Sequence, residues 1–364
     1  LAPSPGVPAW DEDADFAIER HVVACEHTDD QGLRGLVAEA MTTPLDREHP
    51  LWAMDVVPLD GQRTAIVWRI HHAIADGMTA MRMARGLLFE DVGESHAAVA
   101  TTRPAPRPPE HPAPVRKAAI PAALWRELWR HGSPSPLDRP AGPRREVAFV
   151  DADLEELRRI GHAAPVRATV NDVALSAVAG GLRGWLEGLG ASEQGLRVKV
   201  PVSLHRAGTA DDANRDSFMI VDLPLAEREP LDRLCAVARE TRDCKIHRDA
   251  ESLDTFFGDL SHFSRSLERY AQRWAMSPRI FTLNVSNVPG PRGPQRVLAS
   301  PLLELHSLAE IAHRHALRVA VVSAAGRISF GLCADPDTVG GLDGIARGIQ
   351  REIDALSVAV SGAK

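Results

Sequence analysis

The chain has 364 residues, 44% of them apolar and 25% charged, and carries a formal net charge of −7. That length exceeds one ordinary core and predicts two globular domains, while an acid-leaning chain with no concentrated basic face excludes nucleic acid as a partner. Cys25, Cys235, Cys244 and Cys333 show no CxxC spacing and read as reduced apolar residues of a cytosolic protein, and no apolar run approaches the roughly 18 residues of a membrane span.

In chain order, Phe16 to Cys25 alternates like a strand, and Gln31 to Met41 spaces Leu33, Leu36, Val37 and Met41 as a helix. Trp52 to Pro58 and Thr64 to Ile70 predict two adjacent strands joined by a polar turn at Asp60-Gly61. Met78 to Phe89 predicts an amphipathic helix. Between strand and helix stands His71-His72-Ala73-Ile74-Ala75-Asp76-Gly77. An imidazole titrates near pH 6.5, so a histidine there can take and return a proton at about neutral pH. An aspartate beside it can aim the ring, and a glycine lets the chain turn sharply. Adjacent residues of an extended segment point to opposite faces, so His71 and His72 are expected to do different jobs.

Residues 101–145 are crowded with proline and read as a linker running over the surface, with a short helix at Ala122–Arg130 carrying Trp125 and Trp129 on one face. The rest predicts a strand at Val147–Val150, a helix at Asp153–His162 and a longer helix at Thr169–Leu189 with Thr169 as N-cap. Strands follow at Leu196–Val202, Phe218–Leu225, Ile280–Val285, Leu317–Val322 and Ile328–Cys333. Helices follow at Leu231–His247, Leu253–Trp274 and Leu342–Leu356. Strands mixed with helices in both halves predict α/β sandwiches. The predicted division is an N-terminal domain over 1–100, the linker over 101–145 and a C-terminal domain over 146–364.

The HHxxxDG pattern resembles that of the bacterial wax ester synthase/diacylglycerol acyltransferases, a branch of the acyl-CoA-dependent acyltransferases folded like chloramphenicol acetyltransferase. Pro50-Leu51-Trp52, Asn171-Asp172, Pro201-Val202-Ser203 and Ser286-Asn287-Val288-Pro289-Gly290-Pro291 match further family motifs in order and approximate spacing, so the similarity covers nearly the whole chain. The resemblance implies two chloramphenicol acetyltransferase-like domains with a tunnel between them, the first lacking the family's opening segment. It implies transfer of a long-chain acyl group from acyl-CoA to diacylglycerol or a long-chain alcohol, with acyl-CoA as substrate and no cofactor. His72 would be the general base and Asp76 the group that supports its loop and ring. His71 and Gly77 would be structural members of the motif, and Asn171 and Asn287 would contribute to the oxyanion site or tunnel. The ring of His72 is expected to be shielded from solvent in the passage between the domains. The implied location is cytoplasmic, at the inner membrane face or the surface of lipid droplets.

Two alternatives stay open from the residues: a superfamily member acylating a small or carrier-bound acceptor, and a truncated homologue that binds lipid without turnover. A serine hydrolase is excluded, since no Gly-x-Ser-x-Gly occurs. No metal is expected, because HExxH and paired cysteines are missing. His313 and His315 stand where the family more often has small or amide residues, a departure that bears on the tunnel lining and the acceptor.

Overall fold

Val22–Ala24 (β1), Trp52–Leu59 (β2) and Arg63–Ile70 (β3) form the first sheet of the computed structural model, which describes residues 12–91, 135–191, 196–203, 216–247 and 277–362. β2 and β3 pair antiparallel from Trp52↔Ile70 to Leu59↔Arg63, and β1 lies parallel to β2. The connecting residues Gly61 and Gln62 both take positive φ, as a tight hairpin turn requires. Helix α1 (Asp30–Thr42) starts at an Asp29 cap and ends where Arg69 of β3 donates to the carbonyls of Ala40 and Thr43, both at 3.1 Å. Those carbonyls have no partner within the helix, so a cation is well placed there.

The predicted strand Phe16–Cys25 is mostly something else. Ile18–Arg20 is a 3₁₀ turn and only Val22–Ala24 pairs with a neighbour. The turn tucks His21 between Phe16 and Trp52, with ring centroids 5.2 and 4.6 Å away, and Nδ1 meets the Trp52 carbonyl at 2.9 Å. Ring stacking, not a ladder, holds Phe16 and His21. It also gives Trp52 the structural role expected of the Pro-Leu-Trp motif.

The main body is a six-stranded sheet in the order β5-β12-β11-β8-β6-β7, formed by Glu146–Asp153 (β5), Arg197–Ser203 (β6), Asp216–Asp222 (β7), Leu283–Pro289 (β8), Leu317–Ala324 (β11) and Arg327–Ala334 (β12). Four helices pack on one face: Leu154–Ala163 (α3), Val170–Gly188 (α4), Pro230–His247 (α5) and Leu342–Gly362 (α6). Two of them approach unusually closely. A Cβ on Gly348 of α6 would sit 2.8 Å from the Cα of Gly181 in α4, so only glycine fits that crossing. α4 opens on the predicted cap as a full capping box: Thr169 Oγ1 accepts from the Asp172 N–H at 3.3 Å, and Asp172 Oδ2 accepts from the Thr169 N–H at 2.8 Å. The opposite face of the sheet receives α1, whose Leu33, Val37, Ala38 and Met41 pack with Val147, Cys333 and Ile311.

Leu137, inside the stretch expected to run over the surface, is wholly buried in the main core, and its carbonyl accepts from the Ala316 N–H. The strand predicted from Ile280 begins later, because Ile280 closes a turn on Ser277, and it continues through Pro289. Three short strands had no precedent in the periodicity. Phe89–Asp91 (β4), Gln295–Val297 (β9) and Ser300–Pro301 (β10) form a separate sheet in which β4 of the first half pairs with β9 of the second. The expected helices Ala122–Arg130 and Leu253–Trp274 lie outside the described residues.

Across the sheet face that receives α1, directly paired residues form the row Val147, Cys333, Arg318, Asn284 and Lys199. Burial and the Arg318 charge hold the Lys199 ammonium down at about 8, with the Phe218 ring 4.2 Å away. A lysine with a depressed folded-state pKa binds fewer protons folded than unfolded between about pH 8 and its ordinary value, so stability rises with pH across that window. We therefore expect the parent to gain on Lys199→Met by about 2 kcal/mol between pH 7.5 and 9.5 in urea denaturation. An unchanged difference would show that burial does not disfavour the charge.

Candidate active site

β3 ends at Ile70, and the chain turns through His72–Ile74 before helix α2 (Gly77–Leu87) begins. The His71 N–H bonds to the Leu51 carbonyl at 2.9 Å and its Nδ1 accepts from the Ala73 N–H at 3.1 Å, so His71 fixes the turn. Asp76 caps α2. It is 2% exposed, and its Oδ1 accepts from the Thr79 N–H at 2.6 Å. The His72 ring is different in two ways from the sequence expectation. It is exposed rather than shielded, and no hydrogen bond joins it to Asp76 or to any other described residue. The turn, rather than an extended strand, carries the ring outward. Asp76 anchors the start of the helix that follows the turn.

Gly77 explains itself only in three dimensions. A Cβ there would come within 2.8 Å of Val288 Cγ2 on β8. One turn along the helix, Met81 Cε lies 3.5 Å from where a Cβ on Gly290 would be, and the Gly290 N–H bonds to the Ser323 carbonyl at 2.7 Å. The HHxxxDG helix therefore rests on the Asn-Val-Pro-Gly-Pro end of β8, and this contact joins the two halves along with α1 on the main sheet and the β4–β9 pairing. We expect Gly77→Ala to push α2 off β8 at a cost of about 1–3 kcal/mol, the usual penalty for overpacking. A thermal melt indistinguishable from that of the parent would show that Val288 yields freely.

Asn171 and Asn287 meet as well: Asn287 Nδ2 donates to Asn171 Oδ1 at 3.4 Å, a long bond that links the first turn of α4 to β8. Successive strand residues face opposite ways, so Asn287 turns toward the helices while Val288 turns toward α2. Asp172, buried in its capping box, also accepts from Thr241 Oγ1 at 2.7 Å and is structural. His315 stacks on Phe281 at 4.3 Å with its Nδ1 meeting the Thr282 carbonyl at 2.9 Å. It is a core residue, whereas His313 stands exposed.

Comparison with known proteins agrees with this arrangement. Residues 4–132 match the wax ester synthase/diacylglycerol acyltransferase catalytic domain, and residues 213–357 match the WS/DGAT C-terminal domain. A probable diacylglycerol O-acyltransferase of Mycobacterium tuberculosis is 30% identical over 385 residues, spanning 98% of this chain and 82% of that protein. The solved structure of the wax ester synthase/diacylglycerol acyltransferase from Marinobacter aquaeolei VT8 superposes with a TM-score of 0.72 at 21% identity. The match covers 99% of this chain and 85% of that one. The fold is accordingly that of two chloramphenicol acetyltransferase-like α/β domains. On the strength of the full-length relative and the two matched domains, this chain belongs to the wax ester synthase/diacylglycerol acyltransferase family, a family of acyltransferases.

Proposed function

We propose that this protein transfers a long-chain acyl group from acyl-CoA to the hydroxyl of diacylglycerol, with long-chain alcohols as related acceptors, and that His72 is the general base. The observation that carries this reading is the seating of the HHxxxDG helix on β8 through Gly77 and Val288, which sets the His72 turn at the junction of the two domains. Family membership supports the acyl donor. An exposed ring without a hydrogen-bond partner among the described residues can meet an incoming hydroxyl. His72 Nε2 takes the hydroxyl proton as the oxygen attacks the thioester carbonyl, the carbon–sulfur bond breaks, and the imidazolium returns the proton to the departing thiolate. No acyl-enzyme and no cofactor enter. His71, Asp76 and Gly77 hold the turn, and Asn171 with Asn287 links the first turn of α4 to the strand on which α2 rests; free N–H groups of that helix turn suit developing negative charge.

A lipid acceptor resides in a membrane or droplet, and the surface near the junction suits such contact. Leu298, at the tip of the β9–β10 hairpin, is 77% exposed, Leu87 at the end of α2 is 72% exposed and Leu303 is 60% exposed. The exposed Arg82 and Arg85 of α2, Arg296 of β9 and Arg292 of the loop before β9 suit anionic headgroups. No helix among the described residues is long and apolar enough to cross a membrane, so the association proposed is peripheral.

The test is incubation of the purified protein with long-chain acyl-CoA and a panel of diacylglycerol, hexadecanol and short-chain alcohols. Triacylglycerol or wax ester is the expected product. Exclusive acylation of the short acceptors would overturn the lipid reading.

A further inference from the structure

A second cluster of ionisable side chains lies apart from the HHxxxDG turn, on the sheet face that receives α1. Asp151 projects from β5, and Glu304 and His306 come from the segment that crosses this face before β11. One ligand atom from each lies within 4.8 Å of the other two. We propose that Asp151, Glu304 and His306 bind a divalent transition-metal cation of the zinc class, independently of the acyl-transfer reading.

The imidazole carries the argument. His306 Nδ1 is buried with no hydrogen-bond partner among the described residues, and it stands 3.9 Å from Asp151 Oδ1. That separation is too long for a hydrogen bond but is close to the distance of about 3.3 Å between two ligands of a tetrahedral ion with bonds of about 2.0 Å. The second carboxylate, Glu304, lies 3.3 Å from the other ring nitrogen, Nε2, and is exposed, so it completes the set by swinging to the Nδ1 side of the ring. A protonated His306 bridging two carboxylates would account for the Glu304 contact, but it would leave a buried N–H with no acceptor at bonding distance.

The surroundings hold the ligands as metal sites do. Ser329, directly across from Asp151 in the β12–β5 ladder, donates its hydroxyl to Asp151 Oδ1. Phe149 packs on the His306 ring with centroids 4.5 Å apart and the planes tilted by 45°. Such supporting contacts fix ligand orientation in metal centres. Nitrogen and oxygen donors without thiolate suit Zn²⁺ and its neighbours rather than Cu(I).

A bound ion would clamp the crossing segment to the sheet. That segment is already pressed close: a Cβ on Gly331 would sit 1.9 Å from the Ser307 carbonyl oxygen. Asp151, Ser329, Val322 and Val288 form one row of directly paired residues, ending at the residue that touches Gly77. Three strand spacings, about 14 Å, separate the cluster from that contact.

The experiment is titration of the chelator-treated full chain with ZnCl₂ in competition with a chromophoric chelator. One equivalent of Zn²⁺ should bind, with a rise in melting temperature. Ser329→Ala should weaken binding by about 10–100-fold. His306→Ala should abolish it, and so should Glu304→Gln, which alters only an exposed side chain and leaves the apo melt unchanged. No saturable binding, or Zn²⁺ binding by His306→Ala and Glu304→Gln equal to the parent's, would overturn the assignment.

Discussion

Replacing His72 by alanine is expected to lower the rate of acyl transfer by about 10²–10⁴, the usual contribution of one well-placed general base. The remaining rate would come from holding acyl-CoA and acceptor together. The substitution should leave the fold intact, because the ring is exposed and makes no hydrogen bond to a described residue. Parent and variant should therefore melt at the same temperature and differ in turnover with little change in KM. If the variant instead kept the parent's turnover, the base would have to be found elsewhere.

The largest effect on stability is expected at Glu352. Its carboxylate takes both ends of the Arg233 guanidinium at 2.9 Å, and the two side chains are 7% and 2% exposed. Arg233 also donates to the backbone carbonyls of Glu227 and Arg228 just before α5, so the same guanidinium that pairs with Glu352 of α6 holds the start of α5. The packing is built around this pair: a Cβ on Gly180 of α4 would lie 2.5 Å from Glu352 Oε2. Glu352→Ala strands a buried charge and should cost about 3–5 kcal/mol in urea denaturation. Changing both partners to methionine should cost far less, because two desolvated charges then disappear together. A loss below about 1 kcal/mol for Glu352→Ala would mean that water reaches Arg233.

What could be read from the sequence follows from how local each signal is. Thr169 and Asp172 are three residues apart, so their capping box is written in adjacent letters, and α4 starts where expected. The apolar runs of β2, β3, β11 and β12 are equally legible, because each strand lies on or within a packed sheet. β4 and β9 were not visible, because each is three residues long and its partner lies about two hundred positions away. The Phe16–Cys25 stretch departs from its strand-like pattern because Phe16 and His21 are held by ring stacking and only Val22–Ala24 pairs in the sheet.

The candidate site shows the same division. His71, His72, Asp76 and Gly77 are legible as a motif, but the motif does not say why Gly77 must be glycine. That reason belongs to Val288, on the other domain. Nor does it reveal that Asp76 spends its carboxylate on the Thr79 N–H instead of on the ring. Asp151 and His306 are separated by more than 150 positions, so their meeting appears only when β5 and the crossing segment are folded together.

Direct transfer at the domain junction is tested most directly by following a single turnover of long-chain acyl-CoA by intact-mass and product analysis, with and without diacylglycerol. The account predicts that coenzyme A is released only when acceptor is present, that neutral lipid appears in equal amount, and that the protein never gains the mass of an acyl group. Release of coenzyme A without acceptor, with an acyl group left on the protein, would contradict it.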